Sequence, residues 1–139
     1  MDIQKLKEEF RCNNLEVIIP TDSNFKKYKS EFENLYILNQ NAICDTNSFQ
    51  FILLNTLFYG FIHNGAVLGA IYFFMDDGRL FLNAYSIRKK HYLNLLSLRL
   101  SLSWFIPPIY AEAQNRASAF CLLKTGFKRV RNNLFVYRG

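Results

Sequence analysis

Two short turn sequences constrain this chain more than any other feature. His63-Asn64-Gly65 and Asp76-Asp77-Gly78 each supply residues that tolerate positive φ, which a tight β-hairpin requires. The residues around them are aromatic and β-prone. Leu57–Ile62, Ala66–Met75 and Arg79–Ile87 are therefore expected as consecutive strands of an antiparallel meander.

The 139 residues around this meander suit one compact domain, expected to span 1–139. Half of them are hydrophobic and 20% are charged, with no long run of one sign, which argues against disorder. Two apolar stretches imitate membrane spans. Residues 49–75 contain Gln50, Asn55, His63 and Asn64, and residues 92–105 contain Arg99. A charge at mid-bilayer costs about 3 kcal/mol, so both stretches read as the core of a soluble domain and no membrane partner is expected. Residues 1–11 carry acids and no apolar segment, unlike a signal peptide. Cys12, Cys44 and Cys121 are odd in number and lack metal-site spacing, which suits reduced thiols in a cytoplasmic compartment.

The remaining elements follow from local pattern. Ile3, Leu6 and Phe10 make one face of a helix over 2–11. Leu15–Ile19 is a β-branched run closed by Pro20. Thr21, Asp22 and Ser23 are candidate caps for a helix over Phe25–Leu38, and Asn39–Ser48 reads as loop. Arg88–Asn94 is a basic connector. Leu95–Phe105 is open: its Leu and Ser alternate as in a strand, but it lacks β-branched residues, which favours helix. Pro107 and Pro108 end that element. Ile109–Ala113 is a short strand, and Asn115 can cap a helix over Arg116–Thr125. Gly126 suits a left-handed residue after it. Phe127–Val130 and Leu134–Tyr137 are the last strands, joined by Arg131, Asn132 and Asn133.

The segment from Ile109 to Phe127, IYAEAQNRASAFCLLKTGF, resembles the GNAT superfamily of acyl-CoA-dependent N-acetyltransferases. In that family a strand leads to an Asn, then a short helix with small residues, then Gly-Phe. Asn115 stands eleven positions before Gly126, Ser118 and Ala119 are the small residues, and Leu134–Tyr137 resembles the last strand. The resemblance covers residues 57–137. It implies an α/β (α+β) fold, a mixed and mainly antiparallel central sheet with helices on both faces, and it implies helix for Leu95–Phe105. It also implies acetyl-CoA as donor and an amine as acceptor. The backbone from Ala84 to Ile87, including Tyr85, would hold the pantetheine arm at a splayed strand pair, together with Asn115. An ordinary helix N-cap is the competing role for Asn115.

The pattern departs from the family in two places. The pyrophosphate loop normally carries glycines that let backbone N–H groups reach the phosphates. The stretch here is Ile87, Arg88, Lys89, Lys90, His91, Tyr92, Leu93 and Asn94, without a glycine. Either the basic side chains replace the amides or cofactor binding is lost. The family's general-acid Tyr falls at Leu122, which carries no proton. Glu112 and Tyr85 remain as candidate catalytic groups, with a solvated strand residue as the plainer role for Glu112. No Cys or His has a visible catalytic partner.

Three classes of function remain. The first is an acetyl-CoA-dependent N-acetyltransferase. The second is a non-catalytic GNAT-fold structural or interaction protein with protein partners, for example a phage virion or assembly component. The third is nucleic-acid binding, which rests on a net charge of +6 and 17% aromatic residues. It ranks last because basic and aromatic residues do not alternate in a stripe.

Overall fold

A computed structural model of the chain describes residues 3–87 and 91–139, without the side chains of His91 and Tyr92. The elements run α1 (Ile3–Cys12), β1 (Glu16–Ile18), α2 (Phe25–Ile43), α3 (Phe49–Asn55), β2 (Leu57–His63), β3 (Ala66–Asp76), β4 (Arg79–Ser86), α4 (His91–Leu102), β5 (Ile109–Glu112), α5 (Arg116–Lys124), β6 (Lys128–Arg131) and β7 (Leu134–Tyr137). The strands form one seven-stranded sheet in the order β1-β2-β3-β4-β5-β7-β6. Every neighbouring pair is antiparallel except β4 and β5.

The meander forms as its turns dictate. His63 pairs with Ala66 and Asp76 with Arg79, leaving two-residue loops. Asn64, Gly65, Asp77 and Gly78 all have positive φ, as such loops require. The sheet has a core on each face. Leu6 and Phe10 of α1, Leu98 and Leu102 of α4, and Leu122 of α5 pack with Trp104 on one side. Phe25, Tyr28, Phe32 and Tyr36 of α2 pack with Phe49 and Ile52 of α3 on the other. Helices therefore cover both faces, as expected.

Four local expectations need correction. Asp22 does not cap α2. Its carboxylate accepts from Ile19 N at 3.0 Å and pairs with Lys7 Nζ at 2.7 Å, tying α1 to the end of β1. Asn24 holds the cap position without a side-chain hydrogen bond. α2 runs five residues past Leu38, because Asn39 Nδ2 donates to Leu35 O at 2.8 Å and Ile43 packs on the second core. It stops at Cys44, which is left-handed. α3 has no counterpart in the sequence reading; Ser48 Oγ caps it by accepting from Phe51 N at 3.1 Å. Finally, Arg131 belongs to β6 rather than to the turn. The open segment 95–105 is helical through Leu102, and α4 begins four residues before Leu95, at His91.

Candidate functional site

β4 and β5 are parallel, yet only Phe81 and Tyr110 pair between them. Beyond that point the strands separate. Leu82–Ile87 on one side and Ala111, Glu112, Gln114 and Asn115 on the other line a cleft of about 660 Å³. α4 and α5 close it with Asn94, Ser97, Leu98 and Leu122. The lining is mostly apolar, with polar groups at the strand and helix ends.

Sequence parity places the walls. Leu82 and Ala84 belong to the α4 face, with Ala111 and Ala113 beside them. Tyr85 belongs to the α2 face. Glu112, between two buried alanines, is exposed and accepts from Gln114 Nε2 at 3.3 Å. Ala84 N–H donates to its neighbour's Asn83 Oδ1 at 3.0 Å, a side-chain acceptor where a paired strand would offer a carbonyl. Asn94 Nδ2 donates to Ile87 O at 3.2 Å and ties the start of α4 to the end of β4. Ser97 is buried and donates to Leu93 O at 2.9 Å, and Leu93 packs on the first core.

A smaller polar hollow of about 260 Å³ adjoins the cleft on the α2 side and shares Asn83, Glu112 and Gln114 with it. Asp45 and Asp76 also border it. Its loop is held firmly. Tyr72 donates to Asp45 Oδ2 at 2.6 Å, Tyr36 to Asn47 O at 2.7 Å, and Gln40 to Asp45 O at 3.1 Å. Burial raises the Tyr36, Tyr72 and Tyr85 hydroxyls well above the ordinary phenol range, with the Asp45 carboxylate adding to the first two.

The expected site residues fall as follows. Tyr85 lies in the splayed segment, but its hydroxyl is buried and donates to Phe32 O at 2.9 Å. Glu112 reaches both the cleft and the hollow. Asn115 caps α5, accepting from Ser118 N at 2.8 Å, while its Nδ2 donates to Ala42 O at 3.4 Å on α2. Leu122 is a buried core residue. Ile87 and Leu93 flank the basic connector; Arg88, Lys89 and Lys90 lie outside the described residues, as do the side chains of His91 and Tyr92. Burial also raises the Cys121 thiol, which disfavours its thiolate form. Among the described residues no His, Cys, Asp and Glu cluster could hold a metal, and no helix is long and apolar enough to cross a membrane.

Sequence reasoning missed Asn83, Ser97, Gln114 and the last turn of α2 as lining of the cleft. None carries a motif; the packing of separate elements brings them together.

Comparison with solved structures decides the fold. An N-acetyltransferase from Staphylococcus aureus Mu50 superposes with a TM-score of 0.53 at 16% identity, over 88% of this chain and 94% of that one. The fold is that of an N-acetyltransferase. A protein from Sphaerobacter thermophilus DSM 20745 described as an acetyltransferase gives a TM-score of 0.52 at 10% identity, over 88% of this chain and 89% of its own. No protein-family model and no curated protein matches the sequence. In this fold the β4–β5 gap is a cleft, and Asn94, near the start of α4, lines it.

Proposed function

We propose that the cleft binds an acyl-CoA, with acetyl-CoA as the reference donor, and that the chain transfers the acyl group to an amine. The observation that carries this reading is the single pairing of β4 with β5, which leaves a backbone edge facing an apolar gap. The residues of the gap fit a pantetheine arm. The arm would lie along Leu82–Ile87, with the backbone of Tyr85 beside it and the Ala84 N–H available once Asn83 releases it, while Ile87 is held by its N–H on Leu68 O and its carbonyl on Asn94. Asn115 would contribute its amide from the facing side.

The pyrophosphate would sit where α4 begins. A helix N-terminus favours negative charge, and α4 has no acid in its first turn. Arg88, Lys89, Lys90 and His91 supply further positive or hydrogen-bonding groups in the sequence there, with Tyr92 and Leu93 as apolar neighbours. Acetyl-CoA supplies a thioester-activated acyl group: the amine nitrogen would bond to the acyl carbon as the C–S bond breaks and CoA leaves as its thiolate, protonated from solvent, so the chain has to orient the thioester and take one proton from the amine. Glu112 would take that proton; it borders both the cleft and the polar hollow from which an amine would approach, which supports this reading. Tyr85 would act through its backbone, because its hydroxyl is committed to Phe32.

A second reading keeps the fold without the chemistry, as a structural or interaction protein. It is favoured by the apolar, buried Leu122 at the expected acid position and by the double engagement of the Asn115 amide. Calorimetric titration with acetyl-CoA separates the two. Binding should appear at low salt and weaken steeply towards physiological ionic strength, because exposed cations on phosphate are screened. Replacing Lys89 and Lys90 with Ala should weaken it further. Absence of heat from folded protein at low salt would sink the acyltransferase reading.

A further inference from the structure

The net charge of +6 is not spread over the molecule. Residues 1–112 hold eleven Lys and Arg and all eleven acids, so they balance. Residues 113–139 hold Arg116, Lys124, Lys128, Arg129, Arg131 and Arg138 and no acid. The topology turns this asymmetry in sequence into one in space. α5, β6 and β7 form the β6 end of the sheet, while at the opposite edge Glu8, Glu9 and Glu16 of α1 and β1 are matched by Lys5, Lys7 and Arg11.

All six cations are exposed, and among the described residues none of them makes an ion pair. Arg116 lines the cleft, but the other five line neither the cleft nor the hollow. Every residue of β6 is exposed. Lys124 lies over the Phe120 ring at 5.5 Å, and Phe120 is itself 55% exposed. Unpaired positive charges crowded at one edge repel one another, and a polyanion relieves that repulsion.

Cations on an edge strand also discourage aggregation. That role does not account for Lys124 and Arg138, which lie off the strand, or for the lack of any acid across α5, β6 and β7. The choice among polyanions follows from shape. An acidic peptide would bind best as an added strand, but β6 carries a bulge, with Arg129 opposite Phe135 and Arg131 opposite Leu134. That bulge breaks the ladder an added strand would extend. A regular row of phosphates needs no such ladder, and three of the five outer cations are Arg, whose fork matches phosphate oxygens.

We propose that the α5–β6–β7 edge binds the phosphate backbone of nucleic acid without sequence preference, independently of the chemistry in the cleft. This reverses the low rank that the sequence pattern gave to nucleic acid, because the cations are gathered by the fold and not by a stripe in the chain.

The test is fluorescence anisotropy of a labelled mixed-sequence DNA duplex titrated with the full chain at several salt concentrations. Neutralising four or five phosphates should give a slope of log K against log salt of about −4. The variant Lys128→Gln/Arg129→Gln/Arg131→Gln should reduce that slope by about three. Lys26→Gln/Lys27→Gln/Lys29→Gln removes the same charge from exposed positions on α2 and should leave the slope within one. Should the strand variant misfold, Lys124→Gln/Arg138→Gln reads the same surface off the strand, with an expected slope loss of about two. Absence of binding at low salt would overturn the proposal. So would equal losses in the two triple variants, polyglutamate binding as tightly as the duplex, or displacement of the duplex by saturating CoA.

Discussion

Replacing Gly69 with Ala would put a methyl group inside contact distance of Tyr85 O and 2.8 Å from Ser86 Cα. Gly69 lies on β3 opposite Ser86, at the inner edge of the strand that lines the cleft. Its obstacle is backbone, which cannot rotate aside as a side-chain tip can, so β4 itself must shift. Overpacking of this kind costs typically 1–3 kcal/mol, here towards the upper part of that range. Ala recovers about 0.4–1 kcal/mol by restricting the unfolded chain. The net loss is about 2 kcal/mol. With a urea m-value of about 2 kcal/mol/M, the denaturation midpoint should fall by about 1 M. The shift would also displace the Tyr85–Ile87 segment, so acetyl-CoA binding should weaken more than stability does. Gly65→Ala is the control: Gly65 has φ +76 and nothing within 4 Å, so it should cost about 1 kcal/mol in conformation and leave binding unchanged. A Gly69→Ala protein with an unchanged midpoint would refute the close-approach argument.

Three further outcomes are expected. Gly126 has φ +102, and an added Cβ would meet the Tyr137 ring at 3.3 Å, so Gly126→Ala should cost about 1 kcal/mol or more, read as a lower urea midpoint. Tyr36, Tyr72 and Tyr85 keep their protons in the folded state above the ordinary pKa of 10.0, whereas the unfolded chain loses them there. Stability should therefore hold up to about pH 10 and then fall by about 1.4 kcal/mol per pH unit for each buried Tyr, with a shallower fall in Tyr85→Phe. Asn83→Ala frees the Ala84 N–H and should tighten acetyl-CoA binding about two- to tenfold in calorimetry, the equivalent of one hydrogen bond.

The sequence by itself determined what depends on neighbours in the chain. Asn64-Gly65 and Asp77-Gly78 take positive φ whatever surrounds them, so both hairpins and the meander were legible. Asn115 as a cap and Gly126 as a positive-φ stop follow from the same local steric and hydrogen-bonding rules. The tertiary structure decided whatever rests on a distant partner. The Leu and Ser alternation in α4 fits a strand as well as a helix until Leu98 and Leu102 meet the sheet. The second partner of Asn115 is Ala42, 73 residues away, and that of Tyr85 is Phe32, 53 residues away. The splay of β4 from β5, which makes the cleft, is a relation between strands separated by a whole helix. The cationic segment was present in the order of residues, yet only the pairing of β6 with β7 places it at one end of the sheet. Backbone dihedrals are set by adjacent atoms, whereas which side a group faces and what it meets are set by packing between segments far apart in the chain.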